Sequence, residues 1–209
     1  MNIFLRFLFV ILLIFFNSCS KKEEKISIIK EKEINLQMID AYKEGVKAFE
    51  GGDVLFAAKK FNEAEILYPQ SKWAPRSVLM AAYSYYSQDY YFDAISELER
   101  FIKKYPNHER LNYAHFLLAI CYYEQIVDEK KDLGPLLSAQ KEFNFVINNY
   151  PDSDFALDSK YKMDLINDVL ASKEIFLGRY YMKKEKWIAA INRFKQVVEV
   201  YDTTIYIEE

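Results

Sequence analysis

Asp93-Ala-Ile-Ser-Glu-Leu-Glu-Arg-Phe-Ile-Lys-Lys-Tyr-Pro106 is the stretch that decides the fold. Ala94, Leu98 and Phe101 are spaced by four and three residues, which puts all three on one face of a helix. Tyr105-Pro106 ends that helix, because proline has no N–H to donate and drives the residue before it out of the helical region. The pattern recurs. Stops lie at Tyr68-Pro69, Tyr150-Pro151 and Tyr201-Asp202. Twelve residues before the second residue of each stop sits an alanine: Ala57, Ala94, Ala139, Ala190. Eight before it comes a large apolar side chain: Phe61, Leu98, Phe143, Phe194. Five before it come Ala64, Phe101, Val146 and Val197. A position that repeats in this way marks a structural unit that repeats, and units of this length are stacking helical hairpins.

Each of these helices is preceded by another that carries a small residue: Gly45, Ala82, Ala119 and Gly178. Facing small residues let the two helices of a hairpin approach closely. Three residues further on come Tyr85, Tyr122 and Tyr181, with Ala48 beside Phe49 in the first unit. These spacings resemble the tetratricopeptide signature. The stops are 37, 45 and 51 residues apart, against a regular period of ~34, so the array is irregular. Its units are expected at about 38–69, 75–106, 110–151 and 171–202. Unit three carries an eight-residue insertion around Asp128 to Pro135, read as a loop because it ends in Gly134-Pro135. After Pro151, Asp152-Ser153 caps a helix expected to run to Lys184, which fuses an extra segment (152–170) to the first helix of unit four. The expected fold is all-α: an irregular tetratricopeptide-repeat superhelix of about four hairpins with one extended connecting helix, over residues 35–209. The sequence ends soon after unit four without a polar capping helix, so either a partner or further chain is expected over that end.

The composition fits such an array. Of 209 residues, 51% are hydrophobic and only five are glycine and five proline, which argues against strand-turn-strand architecture. Seventeen tyrosines and sixteen phenylalanines supply gap-filling rings. The net charge is −3 with Lys and Glu interleaved, so no nucleic-acid footprint is present. The amino terminus differs. Arg6 precedes ten unbroken apolar residues, Phe7 to Phe16, the size of a signal-peptide core and too short for a comfortable span. Phe16-Asn-Ser-Cys19 resembles a bacterial lipobox, which implies a signal peptide over 1–18 and a diacylglyceryl thioether on Cys19. Multiple acyl chains anchor far more firmly than one, and the resemblance to bacterial lipoproteins implies that Ser20, after the cysteine, directs export to the outer membrane. Residues 19–34 are expected to be a flexible, charged tether. Cys121, in an apolar run, reads as a core side chain.

Catalytic machinery is absent from the pattern. His108 and His115 do not sit in a metal-protease motif and are read as a helix-start and a packing residue; Asp152 and Asp154 lack the calcium-loop glycine and are read as caps. No cofactor or metal is expected. The informative constellation is a second apolar row on the first helices: Tyr42, Val46 and Phe49; Leu79, Tyr83 and Tyr86; Phe116, Ile120 and Tyr123. It reads either as an aromatic groove for a ligand with apolar side chains or as core under neighbouring helices. Arg76 would meet a carboxylate at the groove mouth.

Together with the lipobox and tether, three strings resemble the BamD family of outer-membrane assembly lipoproteins: Phe101-Ile-Lys-Lys-Tyr-Pro-Asn-His108, Cys121-Tyr-Tyr-Glu-Gln-Ile126, and Gly178-Arg-Tyr-Tyr181 followed by Trp187-Ile-Ala-Ala-Ile-Asn-Arg-Phe194. The resemblance implies a non-enzymatic subunit of the barrel assembly machinery, lipid-anchored in the outer membrane and facing the periplasm. Its amino-terminal units would receive unfolded barrel substrates. Its carboxy-terminal units, with Arg179 and Arg193, would dock on a BamA-like barrel subunit beside other assembly lipoproteins. Family members usually continue through a fifth unit. The competing reading is another periplasmic tetratricopeptide scaffold, such as a Tol-Pal-associated coordinator.

Overall fold

The computed structural model describes residues 24–125 and 133–208. Eight α-helices follow one another: α1 (Glu24–Glu50), α2 (Val54–Leu67), α3 (Trp73–Tyr86), α4 (Tyr91–Lys104), α5 (Leu111–Glu124), α6 (Gly134–Asn149), α7 (Asp154–Lys183) and α8 (Trp187–Val200), closed by a 3₁₀ turn, Ile205–Glu208. Among the described residues there is no strand. Each helix packs chiefly on its sequence neighbours, and α5 also touches α7, which is the contact pattern of a hairpin array.

The repeated stop has a geometric cause. Tyr68, Tyr105, Tyr150 and Tyr201 all leave the helical region, and each donates its N–H to the carbonyl four residues back, on Ala64, Phe101, Val146 and Val197. Tyr201 does so with Asp202 after it instead of proline. The turn inside each hairpin also repeats. Gly52, Asp89 and Glu185 all have positive φ, seven residues beyond Gly45, Ala82 and Gly178. The N–H that follows each bonds to the carbonyl of Ala48, Tyr85 or Tyr181 at 3.0–3.1 Å. A left-handed residue closing a helix end in this way satisfies an otherwise orphaned carbonyl. Only Gly52 announces that turn in sequence.

The periodic small residues are the hairpin contacts. Ala57, Ala82, Ala94, Ala119 and Ala139 are fully buried. A Cβ added at Gly45 would stand 2.9 Å from the Phe61 ring, and one at Gly178 would stand 2.6 Å from the Phe194 ring. Both glycines therefore make room for a phenylalanine of the second helix. Ala139→Trp is expected to destabilise by on the order of 1–3 kcal/mol or more through overpacking, read as a lowered denaturation midpoint. An unchanged midpoint would refute the contact.

Two boundaries depart from expectation. Residues 24–34 were expected to belong to a flexible tether, yet α1 begins at Glu24. This stretch has neither glycine nor proline, and Glu and Lys are good helix formers, so a helix nucleated by packing further along extends backwards through it. Core packing still starts later: residues 33–37 are exposed and Met38 is buried. The second departure is Gly134-Pro135, read as the end of a loop. It forms the first turn of α6, where proline's missing N–H costs nothing. Residues 126–132, which include the first part of the insertion, and Cys19 with the signal segment lie outside the described residues. Helix α7 has the expected length. Ser153 caps it, its Oγ accepting from the Ala156 N–H at 3.2 Å. Leu136, Phe143 and Ile166 pack its amino-terminal half on α6, and Ile175 and Val197 pack its carboxy-terminal half on α8.

Candidate functional site

The second apolar row divides between core and groove. Tyr42, Leu79 and Ile120 are buried; Val46, Phe49, Tyr86, Phe116 and Tyr123 are half-buried; Tyr83 and Arg76 are exposed. The rings form a relay. Phe49 and Tyr83 lie 5.6 Å apart, Tyr83 and Tyr86 6.2 Å, and Tyr86 and Tyr91 6.3 Å. Such separations suit edge and offset ring contacts, which hold the rings in place before any ligand arrives.

Arg76 packs against two rings. Its guanidinium lies 5.3 Å from the Trp73 ring centroid and 5.8 Å from that of Tyr42, and those two rings meet edge-on at 5.0 Å. This stack is a wall with a cavity on each side. On one side, Ile39, Tyr42, Lys43, Val46 and Trp73 line an apolar cavity of about 320 Å³. On the other, Arg76, Leu79, Met80, Tyr83, Arg110 and Tyr113 line a cavity of about 250 Å³. Among the described residues, neither Arg76 nor Arg110 is ion-paired. Two cations over an apolar floor, with no internal counter-charge, favour a ligand that brings an anion and an apolar side chain together.

Arg110, Tyr113, Trp73, Met80 and Ile39 were not singled out in the sequence. A signal for the first three was present. Trp73 and Arg76 lie nine and six residues before Ala82, and Arg110 and Tyr113 lie nine and six before Ala119. One ring and one cation thus occupy the same two positions of consecutive units, in exchanged order.

The carboxy-terminal candidates are placed differently. Arg193 donates to both carboxylate oxygens of Glu174 at 3.1 and 3.3 Å, a contact between α8 and α7 that raises its own pKa. Arg179 borders a cavity of about 440 Å³ with Ile175, Met182, Phe194, Val197 and Val198. The structure does not bring Arg179 and the Arg76 cavity into one site.

Other polar groups serve packing. His115 Nδ1 lies 2.6 Å from Glu142 Oε2, and its ring stacks on Phe145 at 3.9 Å, tying α5 to α6. His108 lies edge-on to Phe101. Burial pushes the Cys121 thiol up to about 12, so it is inert. Glu65 is 1% exposed and was not foreseen as special. It accepts hydrogen bonds from Lys104 Nζ at 2.6 Å, from the Tyr105 hydroxyl at 3.0 Å and from Arg100. Arg100 also reaches Glu97 and Asn62, joining α2 to α4. Among the described residues no helix is long and apolar enough to cross a membrane.

Comparison with known proteins bears on what such a groove serves. The family model YfiO, described as an outer membrane lipoprotein, matches residues 35–209. The outer membrane protein assembly factor BamD of Caulobacter vibrioides is 37% identical over 192 residues, covering 91% of this chain and 62% of that protein. BamD of Rickettsia prowazekii is 36% identical over 168 residues, covering 80% and 67% respectively. BamD of Neisseria gonorrhoeae is 31% identical over 163 residues, covering 73% and 61%. The chain thus spans a little over three fifths of the length of these relatives.

Proposed function

This chain belongs to the YfiO family of outer membrane lipoproteins, and we propose that it is a non-enzymatic subunit of the machinery that assembles β-barrel proteins into the outer membrane. In this reading acyl chains on Cys19 anchor it, with the array on the periplasmic face. The groove of units one to three receives the apolar end of an unfolded barrel chain. The hairpin carrying Arg179 and Arg193 docks on a BamA-like barrel subunit, beside other lipoproteins of the same machinery. No cofactor and no nucleic acid enter the scheme.

The observation that carries this reading is the cavity between Arg76 and Arg110. Barrel strands alternate apolar and polar residues. A chain end of that kind presents a carboxylate and an apolar side chain within a few ångströms of each other. The carboxylate fits between the guanidiniums, and the side chain fits against Leu79, Met80, Tyr83 and Tyr113. The wall formed by Tyr42, Trp73 and Arg76 then separates that position from the apolar cavity of unit one. A hydrogen bond to a charged group contributes about 1.5–3 kcal/mol. Arg76→Glu and Arg110→Glu are each expected to weaken binding of a tetrapeptide ending in a phenylalanine carboxylate by about tenfold or more. Calorimetry on the full chain reads this directly. Equal binding of the amidated tetrapeptide, or variants that bind as the parent does, would overturn the assignment.

A further inference from the structure

The four second helices open alike. Two residues before Ala57, Ala94, Ala139 and Ala190, beside each hairpin turn, stand Leu55, Phe92, Leu137 and Ile188. Two residues are about 200° of helical turn, so these side chains point away from the buried alanines. All four are exposed. Phe92 and Ile188, at 79% and 78%, are the most exposed large apolar side chains among the described residues. Charge divides the turns into two kinds. Units one and two present acids: Glu50 and Asp53 at the first turn, Asp89 and Asp93 at the second. No lysine or arginine occurs in 48–58 or in 77–99. Unit four presents Lys183, Lys184 and Lys186 around Glu185, beside exposed Trp187 and Ile188. Asp53 accepts from the Phe56 N–H and Asp89 from the Tyr91 hydroxyl, each within its own turn. Among the described residues, none of the four acids and none of the three lysines is ion-paired. Helix length separates the two kinds of turn. Helices α3, α5 and α7 each begin just after a stop and run the same way, but α7 has 30 residues against 14. Its far end therefore stands about 24 Å beyond the level of theirs. The lysines, Trp187 and Ile188 thus form the tip of an arm, on the side where units one and two show their acids.

We propose that two copies of this chain pair about a two-fold axis, each laying its α7–α8 tip on the acidic edge of units one and two of the other. The inference does not depend on the function proposed above. Complementarity selects the occupant. One chain carries both halves of the contact, and a two-fold axis forms both contacts at once and closes the assembly. The lysines of one copy meet the unpaired acids of the other, which fixes the register of the pair. Trp187 and Ile188 meet Leu55 and Phe92, so the most exposed apolar side chains leave water together. An anionic lipid surface would attract the lysines but would repel the acids and leave Leu55 and Phe92 uncovered. The contacts are small and lie among exposed charges, so the dimer is transient and salt-sensitive. The hairpin that carries the tip is the one proposed above to dock on a barrel subunit, so pairing and docking compete for it.

The test is sedimentation velocity of the full chain in density-matched detergent at rising protein concentration. A monomer–dimer equilibrium is expected, shifting toward monomer as salt is raised. Two charge variants follow. The edge variant combines Glu50→Lys with Asp93→Lys, and the tip variant combines Lys184→Glu with Lys186→Glu. Each is expected to weaken the dimer by about tenfold or more. All four side chains are exposed, and circular dichroism checks that the variants stay helical. Mixed in equal amounts, the two variants should regain a dimer, because each then meets a surface of opposite sign at both contacts. Trp187→Ser with Ile188→Ser should also weaken the dimer by about tenfold. A monomer at every concentration overturns the inference. So does a dimer untouched by both charge variants, a mixture that stays monomeric, or growth past the dimer. A monomer that instead floats with anionic lipid vesicles through Lys184 and Lys186 overturns it as well. None of these substitutions touches Arg76 or Arg110, so binding of the tetrapeptide should be unchanged and decides the two-arginine reading separately.

Discussion

Phe61→Ala is expected to cost about 3–5 kcal/mol and to open the first hairpin before the rest of the array. Phe61 is fully buried, fills the space left by Gly45 and meets Tyr42 at 5.2 Å. Removing the ring takes away its transfer free energy and leaves a cavity that Ala41, Ala58 and Met38 are poorly shaped to fill. Because hairpins contact only their neighbours, the loss stays local. Hydrogen exchange should show α1 and α2 unprotected while α5 to α8 keep their protection. The companion variant is Gly45→Ala, whose Cβ would stand 2.9 Å from the ring. Phe61 is held on all sides, so the expected cost is about 1–3 kcal/mol. Unit two suggests the repair, since there Ala82 faces Leu98. Gly45→Ala with Phe61→Leu should be more stable than the sum of the single losses implies, with a coupling of about 0.5–3 kcal/mol. Unit three keeps both Ala119 and Phe143, so the repair is specific to the tighter hairpin. Uniform loss of protection along the chain, or strict additivity, would contradict this account.

Glu65→Ala should be the second most damaging change, at about 2–3 kcal/mol. Removing one partner from a buried ion pair costs about 3–5 kcal/mol because the opposing charge is left uncompensated. Arg100 and Lys104 keep 38% and 44% of their side chains exposed, so water relieves part of that cost. Burial by itself raises the Glu65 carboxyl; the hydrogen bonds from Lys104 and Arg100 outweigh it and hold the carboxyl below its ordinary value of 4.5. A folded pKa below the unfolded one means that the ionised form stabilises the fold. That stability is present above pH 4.5 and is lost as pH falls through the folded value. Lys104 shifts the other way: its hydrogen bond to Glu65 raises it above 10.5. Its share is present below pH 10.5 and is lost as pH climbs through the raised value. The parent should therefore lose stability from pH 6 toward pH 3 faster than Glu65→Gln does. Parallel pH profiles for the two proteins would show that Glu65 is not the acid-sensitive joint between α2 and α4.

The sequence by itself determined the repeat. Spacings of four and three residues, small residues at fixed offsets and a tyrosine at every stop are local properties. Helical geometry and the backbone limits on residues before proline turn them into hairpins without knowledge of what packs where. It also set the start of α7, because Ser153 is a cap that works through bonds to its own neighbours. Only the tertiary structure divided the aromatic row into core and groove. Tyr83 and Ile120 hold the same position in successive units, one residue after Ala82 and Ala119, yet Tyr83 is exposed and Ile120 buried. The difference lies in which neighbouring helix leans over each, and that depends on the stacking angle of the units. The ion network at Glu65 and the cavity between Arg76 and Arg110 have the same origin. They join residues about thirty-five apart in the chain, and long-range pairing of charges follows from how hairpins stack, which no local pattern encodes.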